Sequence, residues 1–148
     1  MSKEYNDKTF TEDFEGFALS KRRRAREAAL VILYQVSFGS NEEQAVEYTL
    51  NSLNLSQDSA AFARQLVQNA RALEKVSDKF IAAHSRDWDF DRLFNIDVAI
   101  LRLALSELSS STPFNIVINE AVELAKKFGD NASPAFVNAV LDAVNQKT

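Results

Sequence analysis

Apolar residues recur every three or four positions from Lys21 almost to the C-terminus, and this spacing constrains the fold more than any other feature. Such a repeat gathers apolar side chains on one face of an α-helix, whereas a half-buried strand would need strict alternation. The chain of 148 residues has only three glycines and two prolines, so it has little material for hairpin turns. The sequence therefore predicts one all-α domain.

The repeat divides into six or seven helical segments. Their approximate ranges are 21–38, 41–53, 58–84, 96–108, 116–128 and 133–144. The third segment could kink between Leu73 and Val76. Its spacing places Phe62 and Val76 on the inward apolar stripe. Tyr48 lies on the inward side of the second segment, whereas Leu30 of the first segment falls opposite the stripe. Segment 96–108 is apolar nearly all round, which is typical of a helix that others surround. Gly129 is the residue type expected just after a helix, and Ser133 with Pro134 reads as an N-cap and first-turn pair.

Charge is unevenly distributed along the chain. The net charge is −4, yet residues 21–27 (KRRRARE) carry five bases and one acid. Residues 1–20 carry two lysines and five acids without a helical repeat. We expect them to form an acidic, flexible leader before a single domain over 21–148. The concentrated positive charge predicts a phosphate-binding surface that the net charge hides. The alternative is a basic arm that is merely solvated.

The basic cluster lies at the start of the first domain helix. Arg22, Arg23, Arg24 and Arg26 carry guanidinium groups, which pair with phosphate oxygens and stack on bases. Cations at a helix N-terminus oppose the helix dipole, so we interpret the cluster as functional. Tyr34 lies three turns beyond Arg23 on the same side and could stack an unpaired base. The cluster therefore predicts nucleic-acid binding.

Catalytic and metal sites are not predicted. The chain has no cysteine and a single histidine, which excludes disulfides, thiolate sites and sites with two imidazoles. Glu120 and Glu123 are three residues apart, but the histidines that accompany such acids in di-metal bundles are missing. Phosphate-binding loops and nucleophile motifs are also missing. We expect no enzyme activity, metal or cofactor, and we expect a cytoplasmic protein because no membrane span or signal peptide is recognisable.

Four blocks of sequence carry a resemblance to a known family. They are RRRAREAALVILYQ at 22–35, FNIDVAILRLALSEL at 94–108, INEAVELAKKFG at 118–129 and FVNAVLD at 136–142. In this order and spacing they resemble the NusB family of bacterial transcription antitermination factors, over about residues 21–144. The resemblance implies a NusB-like fold of about seven helices in two packed three-helix bundles.

The resemblance also implies a function. Members of the family bind boxA, a short single-stranded RNA in ribosomal RNA operon leaders, together with the ribosomal protein NusE. The pair helps to assemble an antitermination complex on RNA polymerase. By position, the resemblance implies RNA contacts for Arg22, Arg23, Arg26, Tyr34 and Phe136. It implies a NusE contact for Asp97, which otherwise reads as a first-turn acid that complements the helix dipole. Arg102 and Glu107 match structural positions.

Four positions depart from the family pattern. Ala132, Pro134 and Ala135 stand where acidic, basic or polar residues are common, and Ala139 stands in place of a glycine. These changes predict weaker or altered RNA binding. The alternative function is therefore a NusB-fold protein-interaction module whose RNA surface is weakened or occluded. A homodimer could occlude it, and so could the acidic leader by folding back on residues 22–26.

Overall fold

The computed structural model of the chain describes residues 7–88 and 96–145, with side chains from Ser20 onward. Seven α-helices and no strand lie within these ranges, which confirms the predicted all-α class. The helices are α1 (Asp7–Ser37), α2 (Glu42–Ser52), α3 (Gln57–Ala72), α4 (Glu74–His84), α5 (Ile96–Ser109), α6 (Phe114–Phe128) and α7 (Ser133–Asn145).

Helix boundaries follow local capping chemistry. Gly39 has a φ of 97° just after the end of α1, a conformation that favours glycine. Asn41 caps α2, because its side-chain oxygen accepts a hydrogen bond from the backbone N–H of Gln44. Ser56 caps α3 in the same way. The long third segment divides at Leu73 into α3 and α4, so the predicted kink is confirmed.

The start of α7 differs from the prediction. The carboxylate of Asp130, rather than Ser133, accepts the backbone N–H groups of Ala132 at 2.9 Å and Ser133 at 3.1 Å. The Ser133 hydroxyl in turn accepts the backbone N–H of Asp130 at 2.9 Å. Gly129 has a negative φ, so the left-handed region is not the reason for glycine there. A Cβ at Gly129 would overlap the Ser133 side chain, and close approach therefore explains this glycine.

The helices form two three-helix bundles, and α5 of the second bundle is the central element of the fold. Helices α1, α2 and α3 pack together, and α5, α6 and α7 form the second bundle with α4 against α5 and α7. Helix α5 also contacts α1 and α3, which joins the bundles. The prediction that 96–108 is surrounded by other helices is confirmed. The predicted arrangement of two packed bundles agrees with these contacts.

Several apolar positions lie on unexpected sides of their helices. Leu30, on the side of α1 expected to face away from the core, is fully buried because α1 packs against α2, α3 and α5. Tyr48 and Val76 were expected to face inward, and they are 71% and 67% exposed. Thr49 and Ser77, each one residue further along the chain, are buried instead. The packing direction of α2 and α4 therefore depends on their neighbours more than on local periodicity.

The leader also differs from the prediction. Helix α1 begins at Asp7 and continues without interruption past Arg26, so residues 7–20 are helical. A continuous helix cannot fold back onto its own next turns. Residues 7–20 therefore do not cover residues 22–26 in this structure. Residues 1–6 lie outside the described residues, and the flexibility of the leader stays a prediction.

Candidate nucleic-acid interface

The arginines at the start of the basic cluster point to different neighbours around α1. Arg22 is exposed, and its Cζ lies 5.7 Å from the centroid of the Phe62 ring on α3. Arg24 is exposed as well, and its Nη2 donates to the backbone carbonyl oxygen of Leu53 at 2.8 Å. The partner of Arg24 lies at the end of α2. Both guanidinium groups therefore lie at the surface of the first bundle, where phosphate can reach them.

Arg23 reaches across to the second bundle. Its Nε donates to both carboxylate oxygens of Glu120 on α6, at 3.0 Å each. The Glu120 side chain is 8% exposed, whereas that of Arg23 is 48% exposed. The buried carboxylate therefore fixes the direction of a guanidinium group that still meets solvent. This contact could not be predicted from the sequence because its partners are 97 residues apart.

A cleft of about 330 Å³ lies beside this pair, between α1 and α6. Lys127 crosses it and donates to Glu27 at 2.8 Å. Lys126 pairs with Glu123 at 3.3 Å, one turn apart on α6. The cleft is thus lined by cations that the protein's own acids already hold. It offers less positive potential than its number of bases suggests.

Arg26 makes an ion pair inside the fold, and its burial argues against the predicted contact with RNA. Its side chain is 2% exposed and that of Glu107 on α5 is 4% exposed. Nε and Nη2 of Arg26 donate to the Glu107 carboxylate at 2.9–3.2 Å. A guanidinium group enclosed with its carboxylate partner cannot reach a phosphate without the two bundles separating. The pair joins α1 to α5.

Phe136 and Asp97 are also buried, against their predicted roles at the surface. Phe136 is fully buried, and its ring packs edge-to-face against Trp88 with centroids 5.1 Å apart. It has no exposed face on which a base could stack. Asp97 is fully buried in the first turn of α5, so its carboxylate is not presented to a partner protein. Both side chains therefore lie inside the fold rather than at its surface.

Tyr34 is an aromatic residue at the surface of α1. It is partly exposed, and its ring lies edge-to-face with that of Phe38 at 4.9 Å between centroids. Phe38 is 68% exposed and was missed by the sequence analysis. Its position four residues after Tyr34 is the signal that could have identified the pair. Tyr34 lies about 16 Å along α1 from Arg23, a distance that several nucleotides would span.

A second groove, between α1 and α3, was not predicted. It encloses about 310 Å³ and is lined by Lys21, Arg22, Asp58, Ser59 and Phe62. Its spacing in the sequence places Phe62 on the apolar stripe of α3, and the ring does pack partly against the core. Only the packing of α1 against α3 reveals that the ring also lines a cationic groove.

Arg102 belongs to the fold rather than to the interface. Its Nε and Nη2 donate to the two carboxylate oxygens of Asp78 at 2.8 and 2.9 Å, and Nη1 lies 3.3 Å from Glu74. The hydrogen bond that Arg102 donates to Asp78 raises the pKa of Arg102 and outweighs the effect of burial, with a further contribution from the charges of Asp78 and Glu74. The ion pair ties α4 to α5, as expected for a structural position.

Metal sites and membrane-spanning helices are two other features that a chain of this kind could carry. Among residues 7–88 and 96–145, no group of three or more histidine, cysteine, aspartate or glutamate side chains could hold a metal ion. No helix in the same part of the chain is long and apolar enough to cross a membrane.

The fold and the interface together define a class: a small all-α protein of two three-helix bundles with an arginine-bearing edge where the bundles meet. The family model described as NusB family matches residues 23–146. The chain belongs to the NusB family.

Individual relatives agree with this assignment. The chain is 42% identical over 127 residues to the transcription antitermination protein NusB of Bacillus licheniformis, covering 84% of this chain and 95% of the relative. The structure matches that of T. maritima NusB with a TM-score of 0.74 and 30% identity, covering 85% of this chain and 91% of the other. It also matches a structure of the antitermination factors NusB and NusE in complex with dsRNA. The TM-score is 0.76 and the identity is 28%, and the match covers 87% of this chain and 98% of the other.

Proposed function

We propose that this chain is a transcription antitermination factor that binds the boxA element of ribosomal RNA leader transcripts together with NusE. The complex would join RNA polymerase in the cytoplasm, where the transcript is made. The observation that carries the proposal is the exposure of three consecutive arginines, Arg22 to Arg24, on α1. The solved relative that pairs NusB and NusE with dsRNA supports RNA and NusE as partners.

The proposed RNA contacts are Arg22, Arg23, Arg24 and Tyr34. The three guanidinium groups neutralise phosphates, and Tyr34 stacks an unpaired base farther along α1. Arg26 and Phe136 are left out because both are buried. Asp97 is left out of the NusE contact for the same reason.

The experiment that tests this proposal is a salt titration of RNA affinity. Three phosphate contacts on a single strand predict that log affinity falls with log salt concentration at a slope of about −2. Each of the variants Arg22→Gln, Arg23→Gln and Arg24→Gln should weaken binding of a labelled boxA-like RNA and reduce the slope by about 0.7. The matched control is Lys75→Gln, which removes one exposed charge from α4.

The proposal predicts that the control variant binds RNA like the wild type. The proposal is contradicted if the three arginine variants and Lys75→Gln all lower RNA affinity by the same small factor. Equal slopes for all four variants would show that RNA senses only the net charge of the protein.

A protein-interaction module with weakened RNA binding is the second candidate. Two observations favour it: Arg23 is held by Glu120 and Arg24 by the backbone of Leu53. Phosphate must therefore compete with partners within the chain. This candidate predicts equal, weak binding of boxA-like and scrambled RNA while NusE still binds. Sedimentation across a range of concentrations would measure whether a homodimer accounts for any occlusion.

A further inference from the structure

The groove between α1 and α3 combines a cation with an aromatic ring. The Arg22 guanidinium lies over the Phe62 ring, with Cζ 5.7 Å from the centroid, and it is exposed. The buried guanidinium of Arg26 lies 5.8 Å from the same centroid. Both distances are within the range of cation–π attraction. Because Glu107 holds Arg26 in place, the ring has one fixed neighbour and one movable neighbour.

Arg22 is the movable neighbour because of its exposure. A long, exposed arginine side chain changes rotamer readily, and an approaching phosphate competes with the ring for its guanidinium group. Moving Arg22 outward would uncover one face of Phe62. A flat group that enters there would meet the ring on one side and the guanidinium plane on the other. Nucleobases stack on both kinds of surface.

The remaining lining favours a base over a phosphate. Asp58 is exposed in the first turn of α3 and contributes a carboxylate to the groove. A carboxylate repels a phosphate but accepts hydrogen bonds from the amino group of a base. The groove of about 310 Å³ includes Lys21 in its lining, a cation that attracts the phosphate of the same nucleotide. The chemistry therefore fits a base with an exocyclic amino group whose phosphate stays at the basic rim.

We propose that Phe62 is a base-stacking platform, on which one unpaired base of the bound RNA lies between the Phe62 ring and the Arg22 guanidinium. Asp58 accepts a hydrogen bond from the amino group of that base. This inference rests on the proposed RNA-binding function and supplies the stacking residue near the arginines that the buried Phe136 does not provide.

The test combines a ring-removing variant with an RNA that lacks one base at a time. Phe62→Leu removes the ring and keeps an apolar side chain against the core, and Phe62→Met serves in its place if the leucine variant does not fold. Phe62→Tyr keeps the ring. Phe80→Leu is the matched control, because Phe80 is also partly buried against the core but lies on α4. Circular dichroism and urea unfolding establish that each variant is folded.

The platform predicts that Phe62→Leu weakens boxA-like RNA binding by about five- to a hundredfold, the range typical of one base stacked on an aromatic residue. Phe62→Tyr and Phe80→Leu should bind like the wild type. In the series of RNAs that each lack one base, removal of the stacked base should weaken binding to the wild type but not to Phe62→Leu. The losses from Phe62→Leu and Arg22→Gln should combine to less than their product, because both residues hold the same base.

The outcomes separate the platform from the proposed function. If the wild type binds boxA-like RNA selectively but Phe62→Leu matches Phe80→Leu, the platform is wrong and the proposed function stands. The platform is also wrong if removing each base lowers the RNA affinity of the wild type and of Phe62→Leu by the same factor. If the wild type does not bind RNA at all, both proposals are overturned.

Discussion

Removing the arginine of the buried pair between α1 and α5 should destabilise the whole protein. Arg26 and Glu107 make three hydrogen bonds of 2.9–3.2 Å, with side chains 2% and 4% exposed. Arg26→Ala leaves the Glu107 carboxylate buried without its cation, and breaking such a pair costs about 3–5 kcal/mol. Domains are typically stable by only about 5–15 kcal/mol, so the variant should be close to unfolding at moderate urea.

Urea unfolding, followed by circular dichroism and by the fluorescence of Trp88, measures the cost directly. With a typical dependence of about 2 kcal/mol per molar urea, the midpoint should fall by about 1.5–2.5 M. The double variant Arg26→Met with Glu107→Met removes both charges and keeps apolar volume. It should recover most of the lost free energy of unfolding, because an uncharged pair needs no desolvation of ions.

The same double variant tests whether Arg26 binds RNA. If Arg26 is structural, the folded double variant binds boxA-like RNA with the salt slope of the wild type. The reasoning is refuted if Arg26→Ala costs less than about 1 kcal/mol, the value expected of an exposed ion pair. It is also refuted if the stable double variant loses RNA affinity as Arg23→Gln does.

Two further predictions concern positions away from the interface. Gly129→Ala should lower the free energy of unfolding by about 1–3 kcal/mol, because its Cβ would overlap Ser133; an unchanged thermal midpoint would contradict this. Arg102→Gln should cost about 1 kcal/mol, since its bonds to Asp78 and Glu74 are partly exposed, and should leave RNA affinity unchanged. Because Asp78 raises the pKa of Arg102, this ion pair stabilises the folded protein fully at any pH below the pKa that Arg102 has in the unfolded chain. Its contribution fades only as the pH rises above that value. The cost of Arg102→Gln should therefore be the same between about pH 7 and 9, and a cost that shrinks over this range would contradict the assignment.

The fold was largely predictable from the sequence because helix signals are local. The apolar repeat predicted six or seven helices in the observed order, and the apolar character of 96–108 predicted the central position of α5. Individual inward positions were less predictable. Tyr48 and Val76 are exposed because the packed side of a short helix depends on where its neighbours lie.

The site was less predictable because it depends on distant partners. The sequence shows four arginines close together, but not that Arg26 meets Glu107 or that Arg23 meets Glu120. These acids are 81 and 97 residues away along the chain. Phe62 illustrates the converse, since its spacing predicts a core residue and only the packing of α1 against α3 makes it part of a groove.

The central claim is that this protein binds a specific RNA jointly with NusE through the exposed edge of α1. The most direct measurement is fluorescence anisotropy of labelled boxA-like and scrambled single-stranded RNA, with and without NusE. The account predicts selective binding of the boxA-like RNA that tightens when NusE is added and is lost in the double variant Arg22→Gln with Arg23→Gln. Equal and weak binding of both RNAs, unchanged by NusE, would contradict it.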